Sequence, residues 1–173
     1  MKQTIRLASM AVAFVAAAPA FAQASATQST TGTTTIIRPI TLAKTSDIAF
    51  GRIVRPGSTT STISIDATTG ARSSTGGDAV LLSSSPTRAA YTVGGEGGQA
   101  FSISVPTSFN MTRSGGTETI AVPLAGTAAS GTLDGSLGGS GTASFGVGGS
   151  FEVGTSTATG SYSGTFSVTV SYN

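Results

Sequence analysis

The segment GSYSGTFSVTVSYN, residues 160–173, decides the fold class of this chain. Phe166, Val168, Val170 and Tyr172 alternate with Ser and Thr, and this period of two predicts a β-strand with one apolar face. We expect the strand to span residues 165–172. Its apolar face needs a cover and its backbone needs a pairing partner, so the first thing to identify is its neighbour.

The rest of the chain has the composition of an all-β protein. Ser, Thr and Val are abundant, 24 Gly and six Pro interrupt the apolar runs, and no stretch beyond residue 22 keeps a helical period. About seven to nine short strands, spaced roughly ten residues apart, predict an antiparallel β-sandwich or a barrel. Gly148 and Gly149 are predicted to form a bulge or a tight turn between two short strands, and residues 68–78 a polar loop.

The first residues, MKQTIRLASMAVAFVAAAPAFAQ, have the pattern of a signal peptide. Basic residues precede an apolar run that is too short to span a membrane, and Ala20-Phe21-Ala22 matches the small-x-small cleavage pattern. The sequence therefore predicts export through the inner membrane, with cleavage after Ala22.

The remaining chain divides into two predicted parts. Residues 23–35 are rich in Gln, Ser and Thr and are expected to form a flexible N-terminal arm, whereas residues 36–173 form the β-sandwich domain. Removal of Lys2 and Arg6 lowers the net charge from +2 to about zero, and the other basic residues are scattered singly. This charge pattern argues against a nucleic-acid partner.

The composition lacks the residue types that most often act in catalysis or bind metals. The chain has no His and no Cys, which removes the commonest general base and the commonest metal ligands. Asp134 in LDGSLGGSG has no second carboxylate nearby for calcium, and GVGGSF, residues 146–151, lacks the last Gly of a dinucleotide-binding loop. We therefore predict no enzymatic activity, no cofactor, no metal and no small-molecule substrate.

The sequence resembles known protein families in two respects. Gly160, fourteenth from the end, and the penultimate Tyr172 flank the last strand, and this arrangement resembles the C-terminal signature of chaperone–usher pilins. The stretches IRPITLAKTSDIAFG, residues 37–51, and VGGSFEV with GSYSGTFSVTVSYN, residues 147–173, are similar to a secreted bacterial family called domain of unknown function 4402. That family is distantly similar to spore-coat-U and archaic pilin domains.

The resemblance implies an incomplete immunoglobulin-like sandwich in which the last strand lacks a neighbour. A periplasmic chaperone would fill the resulting groove first, and the N-terminal arm of another subunit, delivered through an outer-membrane usher, would then replace it. Gly160, Phe166, Val168, Val170 and Tyr172 would form the strand that binds these partners. Truncation of Phe166, Val168 or Val170 to Ala would cost about 2–5 kcal/mol in a well-packed site.

The expected protein is thus a structural subunit of a fimbria on the surface of a Gram-negative cell. Two departures from the pilin pattern keep alternatives open: the arm offers only Thr33, Thr35 and Ile37 as alternating apolar positions, and the pilin cysteines are missing. The alternatives are a sandwich that completes itself and serves as an adhesive or glycan-binding module, and a small outer-membrane β-barrel.

Overall fold

The computed structural model describes residues 25–173, so the predicted signal peptide lies outside the described residues. Residues 25–34 belong to a unit of their own, contain no strand and have exposed side chains. The second unit begins at Thr35 and contains all the strands of the described residues. Between residues 25 and 173 no helix is long and apolar enough to cross a membrane.

Strands make up the whole regular structure of the second unit, and every pairing between them is antiparallel. In chain order they are β1 (Thr41–Ser46), β2 (Ile53–Val54), β3 (Ser61–Ile65), β4 (Arg72–Thr75), β5 (Val80–Leu81), β6 (Ala89–Glu96), β7 (Ala100–Ser104), β8 (Ser108–Arg113), β9 (Thr119–Gly126), β10 (Ser130–Thr132), β11 (Ser140–Val153), β12 (Tyr162–Ser163) and β13 (Thr169–Tyr172). The all-β prediction is confirmed.

Eight strands form one large sheet, in the order β1-β6-β11-β9-β8-β12, with β3 and β4 beside the second half of β11. Its centre is β11, a strand of 14 residues. One edge of β11 pairs first with β6 and then with β3, while the other edge pairs with β9 around Val147 to Gly149. A single strand thus holds the two halves of the sheet together.

Two small sheets cover the inner face of the large one. The sheet β10-β7-β13 packs over the first half of β11, and the resulting core contains Phe101, Val93, Phe145 and Val147. The ribbon β2-β5 covers the second half, where Ile63, Phe151 and Val153 are buried with Phe50. The architecture is an antiparallel β-sandwich with two adjoining cores, compatible with the predicted immunoglobulin-like arrangement.

Two local predictions are wrong. Gly148 and Gly149 do not form a turn, because they lie inside the continuous strand β11. Glycine is needed at Gly148 for a different reason, since a Cβ atom there would be 2.6 Å from the backbone nitrogen of Ala67, which crosses the outer face of the strand. Residues 68–78 are not one loop either, because Arg72–Thr75 pairs with β3 as β4.

Candidate functional site: the last strand and an open groove

Only part of the predicted binding strand is a strand. Val170 and Tyr172 lie in β13, which pairs with β7, whereas Phe166 and Val168 precede it and Gly160 precedes β12. The prediction of a strand over residues 165–172 is therefore too long at its start.

The neighbouring strand explains the shorter length. Thr169 pairs with Ser104, the last residue of β7, and Pro106 follows two positions later. Proline has no backbone N–H to offer to a ladder, so β7 cannot extend alongside residues 165–168. Over those residues the chain passes instead from β8, which Gly164 approaches closely, to the small sheet.

The four apolar side chains of this segment do come together. Phe166, Val168, Val170 and Tyr172 are all half-buried and pack against the first core. The ring of Phe166 also contacts Phe109 of β8, with 5.1 Å between the ring centroids. Because they are half-buried, we expect each truncation to fall toward the lower end of the 2–5 kcal/mol given for a well-packed site.

Tyr172 joins the two layers through its hydroxyl group. It donates to the carbonyl oxygen of Arg38 at 3.0 Å and accepts from the backbone N–H of Glu96, at the end of β6, at 2.8 Å. Gly95 leaves room for this crossing, since a Cβ atom there would overlap the tyrosine oxygen. The last strand is therefore fastened to the large sheet at this end.

Glu96 is at the centre of the hydrogen bonds at this end of the sandwich. It is 3% exposed, and its carboxylate accepts hydrogen bonds from the backbone N–H groups of Gly138 and Arg38, with the Arg38 guanidinium 3.7 Å away. The hydrogen bond from Gly138 is the main cause that lowers the pKa of Glu96 below its ordinary value, although burial acts in the opposite direction. The carboxylate is thus held ionised between three segments of the chain.

Gly160 stands apart from the four apolar residues. Its φ of +152° favours glycine, and a Cβ atom there would lie 2.9 Å from Cδ of Arg113. Arg113 is held in place by Glu118, whose carboxylate accepts two hydrogen bonds of 2.8 Å from the guanidinium. This contact lowers the pKa of Glu118 to about 2. The Gly that the pilin signature requires has a local steric role here.

Gly160 also lies on the wall of a cleft of about 640 Å³, which we call the open groove. One wall is formed by residues 48–55 and the other by residues 157–162. The floor consists of apolar side chains from β8, β9 and β11: Met111, Ile120, Phe151 and Val153. The groove is a gap in the layer that covers the second core.

The last strand β13 and the first strand β1 both lie at the edge of their sheets. β13 ends the small sheet and β1 ends the large one, and these two strands lie against each other. Asn173 donates its backbone N–H to Ala100, so the alternation of an antiparallel ladder directs the amide groups of Val170 and Tyr172 away from β7. Among residues 35–173 no strand pairs with that outer edge of β13.

Sequence patterns alone missed the groove walls and the buried carboxylate. Ile48, Phe50 and Ile53 lie in a segment whose apolar residues do not alternate regularly, and their common side follows only from the fold. Glu96 carries a weak signal, because it is a single acid within GGEGG. A lone carboxylate surrounded by glycines is near many backbone N–H groups.

A larger cleft of about 740 Å³ lies on the outer face, where Ser150 and Glu152 alternate with the buried residues of β11. Its lining mixes hydroxyl and carboxylate groups with apolar side chains, and Glu118 within it is already paired with Arg113. Within residues 25–173 no three His, Cys, Asp or Glu residues converge to hold a metal ion. The open groove offers the larger apolar surface.

Replacement of Tyr172 with Phe tests the fastening at the end of β13. We expect Tyr172→Phe to lower the free energy of unfolding by about 1 kcal/mol in urea denaturation, since Glu96 N–H loses its acceptor while burial of the ring is kept. Tyr162→Phe is the matched control: its hydroxyl donates only to Ala158, and water can replace it there, so about half that loss is expected. Equal stability of Tyr172→Phe and the parent would contradict the bridging role.

Comparison with known families identifies the chain. The model of the family described as Domain of unknown function (DUF4402) matches residues 40–172, and the chain belongs to this family. The match covers every strand of the sandwich, from β1 to β13. No curated protein and no solved structure matches the chain.

Proposed function

We propose that this member of the DUF4402 family is an exported, non-enzymatic structural protein that assembles with other copies by β-strand complementation. The observation that carries the proposal is the open groove, an apolar gap in the layer that covers the second core. A separate feature, the unpaired outer edge of β13, lies over the first core. The fitting ligand for such a gap is an extended peptide, which supplies apolar side chains to the floor.

Binding of a strand would be favourable because part of the floor of the open groove is only half-buried. Met111 and Ile120 are intermediate in exposure, although they pack against the buried residues of the second core. A bound strand would remove their remaining apolar surface from water, at about 25 cal/mol per Å². Where such a strand extends along β13, it would also satisfy the outward amide groups of that edge, which in isolation must be solvated by water.

The donor segment we propose is the arm of another copy. Residues 25–34 contain no strand and are exposed, and Thr33, Thr35 and Ile37 alternate along the end of the arm and the first residues of the domain. Thirteen residues, 23–35, reach about 40 Å when fully extended, which is long enough to line a groove of this size. Threonine methyl groups bury less apolar surface than Val or Ile, so complementation by this arm is weaker than complementation by an aliphatic donor.

Two further parts of the proposal concern delivery. An exported subunit with an open groove needs a temporary cover, and a periplasmic chaperone that adds its own strand to β13 would provide it before an outer-membrane usher receives the subunit. Tyr172→Ala and substitution of Gly160 by a bulky residue are the variants that would impair such delivery. The final location would be a fimbria on the cell surface.

Deletion of residues 23–33 tests strand donation. We expect the parent protein to give high-mass ladders on unheated gels and in size-exclusion chromatography, and the deletion variant to give a folded monomer that tends to aggregate. A synthetic peptide of residues 23–37 should bind the deletion variant and raise its melting temperature, because the groove is then filled. A peptide with the same composition in scrambled order is the control, since it lacks the alternation.

One result would contradict strand donation. A parent that is monomeric, together with a deletion variant that is an equally stable and soluble monomer, would mean that the sandwich completes itself. The fimbrial function would then be wrong, and the groove would be a surface feature of a self-contained domain.

A further inference from the structure

The hydrogen bonds around Glu96 join segments that are far apart in the sequence. Residues 35–40, which we call the entry segment, lead into β1, and residues 133–139 form the loop between β10 and β11. The Glu96 carboxylate accepts backbone hydrogen bonds from Arg38 of the entry segment and from Gly138 of the loop. One side chain of a residue that is 3% exposed therefore holds both segments against the end of β6.

The entry segment has few other attachments, and among the described residues its hydrogen bonds all involve Arg38. The backbone N–H donates to Glu96 at 3.2 Å, and the guanidinium donates to the carbonyl oxygen of Gly138 at 3.3 Å. The carbonyl oxygen accepts from the hydroxyl of Tyr172. Packing on the first core begins only at Ile40, because the residues of the segment before it are exposed. The segment is thus attached at one point.

This attachment depends on the negative charge of Glu96. A carboxylate accepts through both oxygens, whereas the protonated acid carries an O–H donor that would face one of the N–H groups. Protonation also removes the partner of the Arg38 guanidinium, which lies 3.7 Å from the carboxylate. Hydrogen bonds to a charged acceptor are about twice as strong as neutral ones. At most one of the two N–H groups then keeps an acceptor, and the remaining bonds of Arg38 go to Tyr172 and to the exposed loop.

The charged and titratable groups near this carboxylate are few. Arg38 is the charged residue of the entry segment, and β13 contributes the hydroxyl of Tyr172, which accepts from the backbone N–H of Glu96. The loop contains Asp134, but its carboxylate accepts from the backbone N–H and the hydroxyl of Thr142. The charge of Glu96 is therefore balanced by Arg38 and by backbone N–H groups, not by a second acid.

The direction of the pH dependence follows from these contacts. The hydrogen bond from Gly138 is the main cause that lowers the pKa of Glu96, the contacts with Arg38 act in the same direction, and burial opposes them. A carboxyl group with a lowered pKa keeps its contribution near neutral pH and loses it as the pH falls through that value. The attachment is therefore complete at neutral pH and is lost in acid, below the ordinary pKa of a glutamate.

We propose that Glu96 is a pH-sensitive latch, which holds the entry segment on the sandwich near neutral pH and releases it in acid. The latch fixes the point at which the chain before Arg38 leaves the domain, and Ile37 directly precedes that point. While the latch is closed, Ile37 stays beside its own domain; when it opens, the arm lengthens to include this aliphatic residue. The inference goes beyond strand donation, because the latch acts within one chain whether or not the arm binds another copy.

The absence of cysteine makes the test direct. In the purified protein, Ile36→Cys and Leu137→Cys, at residues that are 89% and 57% exposed, would each carry a nitroxide spin label. Both labels lie within two residues of a backbone N–H that donates to Glu96, so electron spin resonance should show strong dipolar coupling between them at pH 7. We expect this coupling to be lost in acid, while the circular dichroism spectrum of the sandwich is unchanged over the same pH range.

Three variants of the labelled protein assign the transition. Glu96→Gln keeps the shape of the side chain without its charge, so the coupling should be weak at pH 7 and should not change with pH. Glu118→Gln is the matched control and should behave as the parent, because it removes a carboxylate that binds Arg113 instead. Arg38→Gln alters an exposed side chain and keeps the fold; loss of its positive charge should move the midpoint upward by about half a pH unit.

Several results would overturn the latch. Strong coupling that persists in acid while the sandwich is folded would show that the entry segment is held by other contacts. A loss of coupling that coincides with the change in circular dichroism would mean that acid unfolds the whole domain instead of releasing one segment. A midpoint that is the same in Arg38→Gln and in the parent would assign the transition to another carboxylate.

Discussion

Phe101→Ala is expected to lower the free energy of unfolding by about 3–5 kcal/mol, the largest effect of a single truncation in this domain. Phe101 is 1% exposed and lies in the first core between the two layers. Its ring packs over Gly131 of the neighbouring strand β10, where a Cβ atom would be 2.8 Å from the ring. Because the residue beneath it is glycine, β10 offers no side chain at this position to fill the space that the ring leaves.

Urea denaturation of the purified domain measures this effect. Phe101→Leu is the graded control and should retain most of the stability, because it keeps the larger part of the buried volume. Leu137→Ala, at a residue that is 57% exposed, should change the free energy of unfolding by less than about 0.5 kcal/mol. A loss below about 1 kcal/mol for Phe101→Ala would mean that the two layers are less tightly packed there than the burial of the ring indicates.

Gly148→Val is expected to cost about 3 kcal/mol, or to prevent folding, by a different mechanism. A Cβ atom on Gly148 would overlap the backbone of Ile65 and Ala67, and backbone cannot turn aside as the tip of a flexible side chain does. Ile65 pairs with Gly149, so the overlap falls where β3 joins β11. The added methyl groups would push apart two paired strands of the large sheet.

Gly154→Val distinguishes this overlap from a general effect of removing glycine. A Cβ atom on Gly154 would find its nearest neighbour at 3.4 Å, an ordinary contact, so we expect a change of less than about 1 kcal/mol. Thermal unfolding followed by circular dichroism would compare the two variants. Similar melting temperatures for Gly148→Val and Gly154→Val would contradict the close crossing at Ala67.

Sequence patterns predict this fold well where packing and pairing are both regular. The alternation of Phe101 with Ile103, and of Val170 with Tyr172, gives strands whose inner residues are the buried ones or pack on the core. The prediction was wrong at Gly148, where glycine makes room for a chain segment outside its own strand. Gly148 resembles a turn residue in the sequence, although its partner is a backbone segment some eighty residues earlier in the chain.

The candidate site was predictable only in part, for a related reason. The apolar alternation of residues 166–172 identified the side chains of the last strand that pack on the first core, because that information is local. The walls and the floor of the open groove come from separate stretches of chain, and no local period relates Ile53 to Met111 or Phe151. The last strand is shorter than predicted because of a distant residue. Pro106 follows β7, the strand with which β13 pairs.

The position of β11 has a consequence for how quickly the domain can form. Its partners β3, β6 and β9 are all made earlier in the chain, and β3 must wait for residues that follow it by most of the domain. The pairs β1–β6 and β7–β13 also join distant segments. Such non-local pairings slow folding to the range of milliseconds to seconds, about the range of sandwiches. During translation β3, β6 and β9 lack the strand that joins them until the last fifth of the chain arrives.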